Sequence, residues 1–282
     1  MPELPEVETI ACGVHDRVHG ERITEVWFGA HPEPMKTGPV EQALGLEDRR
    51  IERVYRVGKH IVCDLVRNPD EAAATEGAPV VAQWIVHLGM TGRLLVTAPG
   101  APLADHTHAR LTLADGREIR FVDPRRFGRL ELRDLRRDTP FAGPGREPLT
   151  ISVTDFVGLF RLRRTAIKAA LLNQSLLHGV GNIYADESLF RAGIRPRRMA
   201  SRLRQSELEG LHQALKEVLL HAIALGGSSV SDYVDANGVK GFFQLEHQVY
   251  QRGGQGCLVC GARIRKIVVG GRGTHFCPKC QH

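Results

Sequence analysis

The chain is predicted to be an α+β, multidomain protein: a strand-rich N-terminal region led by one helix, then a helical region, then a cysteine-bearing hairpin. Three observations predict this. Apolar residues recur at helical spacing directly behind Met1. Short β-branched segments follow one another from about Arg22 to Arg133. Beyond a Pro/Gly-rich stretch the spacing returns to three and four and ends in two CxxC pairs.

The leading helix rests on Leu4, Val7, Ala11, Val14 and Val18, a stripe of helical period. Pro5 suits a first helical turn, where its missing N–H would have had no partner. Glu3 and Glu6 are three apart and are expected on one side, away from the stripe. If Met1 is removed, Pro2 presents a secondary amine. Chain-terminal amines titrate at roughly 7.7–8.0, so part of the population is an uncharged nucleophile near neutral pH. Such an amine can form a Schiff base with an aldehyde-like carbon.

The strand region contains Ile23-Thr24-Glu25-Val26-Trp27-Phe28, Ile51-Glu52-Arg53-Val54, His60 to Val66, Val80 to Val86 and Leu111-Thr112-Leu113. Asp115-Gly116 is a hairpin turn into Glu118-Ile119-Arg120-Phe121-Val122. These short strands imply an antiparallel sandwich or barrel. Residues 68–79 read as a mobile, functionally silent hairpin loop. The stretch 138–148 is rich in Pro and Gly and marks a domain boundary. Helices are expected over 154–163, 166–172, 182–192 and 206–225, the last opened by a capping box at Ser206-Glu207-Leu208-Glu209 and closed at Gly226-Gly227. Gly179-Val180-Gly181-Asn182 precedes one helix, where backbone N–H groups can meet an anion.

Cys257-Leu258-Val259-Cys260 and Cys277-Pro278-Lys279-Cys280 are separated by sixteen residues, a structural zinc pattern. Four thiolates close a tetrahedral site and leave no open position. Between the pairs, 263–269 and 274–276 read as strands that meet at Gly270-Gly271-Arg272-Gly273, with Arg272 at the tip and His275 a flank rather than a ligand. Composition agrees. The 282 residues carry a net charge of +6, which suits a polyanionic partner. No run of about 18 apolar residues suggests a membrane span. The acidic N-terminus is unlike a signal peptide. Clustered cysteines point to metal in a reducing compartment, hence to the cytoplasm.

Taken in order, five motifs resemble the formamidopyrimidine-DNA glycosylase family along nearly the whole chain. They are Pro2-Glu3-Leu4-Pro5-Glu6-Val7-Glu8-Thr9, His87-Leu88-Gly89-Met90-Thr91-Gly92, Asp123-Pro124-Arg125-Arg126-Phe127-Gly128, Gly179 to Glu187, and the cysteine hairpin. The resemblance implies a catalytic β-sandwich over 1–137, a linker over 138–149, a helix–two-turn–helix domain over 150–232, and a lesion-capping loop end with a four-cysteine zinc finger over 233–282. It implies a monomer that acts on damaged double-stranded DNA and holds one structural zinc ion.

It also implies roles. Pro2 would attack the sugar C1′, Glu3 would protonate the opening sugar ring, and Glu6 would position water or the nucleophile. Lys59 would assist β-elimination and contact phosphate, and Arg272 would grip phosphates and promote δ-elimination. Met90, Arg125 and Phe127 would fill the space left by a flipped base. Asn182, Arg164, His106 and Lys168 would hold backbone phosphates. The loop Asn237-Gly238-Val239-Lys240-Gly241-Phe242-Phe243 departs from the proline and tyrosine that many relatives carry there. Two other readings are an endonuclease VIII-type glycosylase for oxidised pyrimidines, whose members usually begin Pro-Glu-Gly-Pro, and a non-catalytic zinc-finger DNA binder, which would need none of Pro2, Glu3 and Lys59.

Overall fold

The N-terminal stripe forms helix α1, Leu4–Val18, and Leu4, Val7, Ala11, Val14 and Val18 have no exposed surface. The structure, a computed structural model, describes residues 1–67, 79–229, 236, 239 and 241–282. Almost all of the 68–79 loop, and Asn237, Gly238 and Lys240 of the departing stretch, lie outside the described residues. The chain divides into two compact units. One comprises Met1–Pro2, Glu6–Ala142 and Ser228–Gly241, the other Glu3–Pro5, Gly143–Gly227 and Phe242–His282.

The first unit is a sandwich of two antiparallel four-stranded sheets, which decides between sandwich and barrel. Strands β1 (Ile23–Phe28), β5 (Arg93–Thr97), β6 (Thr107–Leu113) and β7 (Glu118–Val122) form one sheet in the order β1-β6-β7-β5. Strands β2 (Arg49–Val57), β3 (His60–Arg67), β4 (Val80–His87) and β8 (Arg129–Asp134) form the other in the order β2-β3-β4-β8. Alternation aims Ala82, Trp84 and Val86 of β4 into a core shared with Val7, Val14, Leu111 and Phe121. Burying each large side chain contributes about 1.5–3 kcal/mol. The β6–β7 turn closes as expected, with Gly116 at φ 84° and the Arg117 N–H donating to Asp115 Oδ1 at 3.0 Å.

Strands β5 and β8 were not anticipated, nor was helix α2, Pro39–Leu46, in a region read as strands. Pro39 starts it, and Leu46 and Gln42 bury one face. The Trp84 indole donates to Gln42 Oε1 at 3.2 Å, so the buried amide is satisfied. A Cβ on Gly45 would lie 2.2 Å from Leu132 Cδ2, so glycine lets α2 approach β8 closely.

The second unit holds α3 (Val153–Phe160), α4 (Ile167–Leu171), α5 (Asn182–Arg191) and α6 (Gln205–Ala224), with the hairpin of β9 (Arg265–Val269) and β10 (Arg272–Phe276). Helix α6 starts earlier than expected. The expected Ser206–Glu209 capping box does not form; instead Glu207 Oε2 accepts the Arg204 N–H at 2.8 Å, half of such a box, since arginine has no acceptor to complete it. The hairpin turn is Gly270-Gly271 alone, at φ 57° and 74°. Arg272 pairs with Val269 and is the exposed first residue of β10, one position past the tip assigned to it.

Candidate active site and nucleic-acid interface

In the second unit the start of α5 has a ready-made anion, and it belongs to the protein. Glu3 Oε1 accepts the Ile183 N–H at 3.2 Å, and Oε2 accepts the Tyr184 N–H at 3.5 Å. The Leu4 N–H donates to Gly179 O at 3.0 Å, which fixes the adjoining backbone. Helix N-terminal N–H groups favour negative charge, so α5 orients this carboxylate. A Cβ on Gly181 would lie 2.1 Å from the Glu3 carboxyl carbon, and one on Gly179 would lie 2.9 Å from Leu4. Both glycines therefore clear room for the N-terminal segment. The N–H groups read as a general anion site are occupied by Glu3. Glu3 and Glu6 also do not sit on an outward helix side, since both are buried.

Lys168 corrects another expectation. Placed by resemblance among the phosphate contacts, it has no exposed surface. Its Nζ lies 2.6 Å from Asp186 Oδ1 and donates to Thr274 Oγ1 at 2.8 Å and Gly273 O at 3.1 Å. Burial pushes its pKa down against the opposing pull of Asp186. Asp186, also fully buried, accepts the His275 N–H at 2.8 Å. The ion pair thus ties α4, α5 and β10 together. The Asn182 amide donates to Gly273 O at 2.9 Å, beside Arg272. Arg164 is exposed.

Four cysteines gather at the base of the hairpin. The Cys257, Cys260, Cys277 and Cys280 sulfurs all lie within 4.8 Å of one another. The Cys260–Cys277 and Cys257–Cys280 separations are 3.5 and 3.9 Å. Zinc–sulfur bonds of about 2.3 Å in a tetrahedron require sulfurs about 3.8 Å apart, so these residues fit a zinc ion. His275 is outside the group, as expected. Purified protein is expected to carry one zinc per chain by atomic absorption. Cys260→Ser should lose it and loosen the hairpin that carries Arg272, read as faster amide exchange over β9 and β10.

In the first unit Pro2 is buried, and Glu6 Oε1 accepts the Ser228 N–H at 2.7 Å. Lys59 occupies the Gly58-Lys59 turn between β2 and β3 but is only 8% exposed. A turn lysine is ordinarily solvated, so its enclosure sets it apart. Next to it the His60 and His87 rings lie 4.8 Å apart. Burial, then His87 and Lys36, bring His60 down to about 4. Burial, then Lys59, Lys36 and Arg129, bring His87 to about 4 as well, and Glu131 offsets little of this for His60. The unfolded chain therefore binds more protons below the usual imidazole pKa of about 6.5. Stability is complete above that pH and is lost as pH falls toward 4, by about 1–2 kcal/mol per ring at pH 5. Thermal melts at pH 7 and 5 should differ accordingly, and His60→Gln with His87→Gln should flatten the difference.

At the ends of β4 and β7 two loops meet. Asp123, fully buried, accepts from Thr91 Oγ1 at 2.5 Å, the Arg125 N–H at 3.2 Å and the Gly128 N–H at 2.8 Å. Gly89, at φ 61°, lies where a Cβ would be 2.5 Å from the Phe127 carbonyl carbon. This packing displays Met90, Phe127 and Arg125 together, the first two 43% and 50% exposed. The Arg125 guanidinium stacks 4.8 Å over the Phe127 ring. His106 is exposed at φ 63°, and its carbonyl accepts the Asp123 N–H at 3.0 Å.

Residues 1–130 match the formamidopyrimidine-DNA glycosylase N-terminal domain, 144–234 its H2TH domain, and 254–282 a zinc finger found in FPG and IleRS. A Solibacter usitatus formamidopyrimidine-DNA glycosylase is 44% identical, covering 100% of this chain and 99% of the relative. The chain belongs to the formamidopyrimidine-DNA glycosylase family. A crystal structure of a Lactococcus lactis FPG mutant with Fapy-dG containing DNA is 35% identical, with a TM-score of 0.87 and 100% coverage of both chains. The wild-type Lactococcus lactis FPG with an oxidised pyrimidine containing DNA is also 35% identical, with a TM-score of 0.86 and the same coverage.

Two residues of this glycosylase-family chain make contacts that no local sequence signal shows. Gly181 and Asp123 stand inside the motifs given above, and what they touch lies far along the chain. Asp123 flanks one exposed loop and its partner Thr91 is 32 positions away, so nothing local announces their bond. Gly181 meets Glu3 from the far side of the sequence. Among the described residues no helix is long and apolar enough to cross a membrane.

Proposed function

We propose that this chain excises oxidised purines from duplex DNA through a Schiff base on Pro2 and then cleaves the strand by β,δ-elimination. The observation that carries the reading is the Glu3 carboxylate, oriented by two α5 N–H groups and directly bonded in sequence to a residue that becomes a secondary amine once Met1 is removed. Binding alone needs neither feature. A damaged base must first be flipped from the stack at a cost of a few kcal/mol. Met90, Phe127 and Arg125 on the displayed loops fill the space it leaves, and apolar wedges suit that task. The Pro2 nitrogen lone pair attacks C1′, the C1′–base bond breaks with its electrons going to the base, and Glu3 supplies a proton to the opening ring oxygen. The resulting iminium acidifies the adjacent C2′ proton, whose removal expels the 3′-phosphate. Loss of the 5′-phosphate follows.

Glu6 positions water or the nucleophile, and Lys59 assists the first elimination, a role that fits its enclosure. Arg272, exposed at the start of β10, binds phosphates and assists the second. Asn182, Arg164 and His106 complete the phosphate contacts; Lys168 supports the hairpin from inside. Zinc, when bound by its four cysteines, rigidifies the hairpin.

Borohydride trapping tests the reading. A covalent adduct on an 8-oxoguanine duplex, mapped to Pro2 and absent in Pro2→Gly while DNA affinity persists, is the expected result. An adduct only with an oxidised-pyrimidine duplex would move the substrate to the other branch; the relative bound to such DNA makes that control necessary. No adduct on either, with Met1 shown to be absent, would leave a DNA binder without chemistry.

A further inference from the structure

The end of the β2-β3-β4-β8 sheet opposite Lys59 carries a feature that the proposed reaction does not use. There the start of β2, the end of β3, the start of β4 and the end of β8 face helix α2 across a groove of about 490 Å³. Its walls are largely apolar. Val40 and Leu44, four apart on α2, are 74% and 71% exposed, and Val81, Ala82 and Leu132 line the same groove. Contiguous exposed apolar surface rimmed by polar residues is the usual character of an interaction site.

The rim is basic. Arg49 and Arg67 are paired directly across β2 and β3, an arrangement of like charges that costs stability. Among the described residues neither makes an ion pair, and Arg49 Nε is shielded from solvent without an acceptor. On the other side Arg136 and Arg137 share the single carboxylate of Asp134. With Glu41 included, four guanidinium groups meet two carboxylates around this groove. A phosphodiester track fits poorly, because the groove is lined largely by apolar side chains, for which a sugar-phosphate backbone has no complement.

We propose that this groove docks an acidic peptide segment of a partner protein. A bulky apolar side chain of the segment fills the space beside Val40 and Leu44, and flanking carboxylates pair with Arg49 and Arg67. Guanidinium forks bind carboxylates in two-bond pairs, and an apolar anchor with a charged rim is the usual plan of a compact peptide site. The site is distinct from the candidate chemistry. Arg49 and the Lys59 turn lie at opposite ends of the nine-residue strand β2, roughly 26 Å apart at strand rise. Partner and DNA can therefore be held together.

The probe is a fluorescein-labelled peptide of four aspartates flanking a Leu-Phe pair, followed by anisotropy with the full chain. Micromolar binding is expected, unaffected by saturating lesion DNA and weakened at least tenfold when Leu-Phe becomes Ser-Ser. Arg49→Glu with Arg67→Glu should weaken it at least tenfold and leave lesion cleavage unchanged. Leu44→Asp, on an exposed helix face, should do the same and serves if the double variant folds poorly. No binding at millimolar peptide, binding displaced by DNA, or binding indifferent to these variants would each overturn the proposal. So would binding that appears only after Asp70, Glu71 and Glu76 are neutralised, since the groove would then belong to the chain's own acidic segment.

Discussion

Replacing Lys168 with methionine is expected to lower stability by about 3–5 kcal/mol, the cost of leaving one member of a buried ion pair alone. Asp186 would keep the His275 N–H but lose the Lys168 ammonium 2.6 Å away, in a position with no exposure. Asp186→Leu alone should cost a similar amount. The double variant should recover much of the loss, because an apolar pair of similar volume tolerates this interior. Urea unfolding of the four proteins completes the cycle. A phosphate contact would behave in the opposite way: stability would be retained, and the slope of log affinity against log salt would fall by about one. A stable Lys168→Met protein with that altered slope would refute the interior role.

With Glu3 in its proposed role, Gly181→Ala is expected to lower the rate of base excision by roughly 10²-fold or more, since misplacing a reacting group by about 1 Å has that effect. The backbone is not the obstacle. Gly181 sits at φ −128° and ψ −163°, extended geometry that alanine adopts freely. The obstacle is Glu3, whose carboxyl carbon lies 2.1 Å from the added methyl. Glu3 must leave its two N–H donors or α5 must shift. DNA affinity should change little, and single-turnover excision should carry the effect. The steric account has its own control: in a Glu3→Gly background the alanine should be nearly neutral for stability. An equal stability loss in both backgrounds would place the strain elsewhere.

These two residues show what could be read from the chain and what could not. Helix α1, the Asp115-Gly116 turn and the cysteine pairs are local patterns, with every determinant within a few positions or at a fixed spacing. Helix α2 was missed because its eight residues include Pro39 and Gly45, which read as breakers until Leu132 explains the glycine. Strand β8, Arg-Leu-Glu-Leu-Arg-Asp, is charged at alternate positions and shows its inward face only beside β4. Lys168 and Asp186 stand 18 positions apart, and neither carries a mark of burial. The cysteine cluster was legible to the residue. The setting of Glu3 was not, because its donors, Ile183 and Tyr184, lie 180 and 181 positions away.

That distance has a consequence for biosynthesis. During synthesis at ~5–20 residues per second, roughly 9–36 seconds pass between Glu3 and its donors on α5. Through that interval the helix start that orients the Glu3 carboxylate does not yet exist. Long-range closure of this kind is also slow to form. A partly made chain therefore holds Glu3 without the two N–H donors that orient it, and that setting arrives only when α5 has been made and folded.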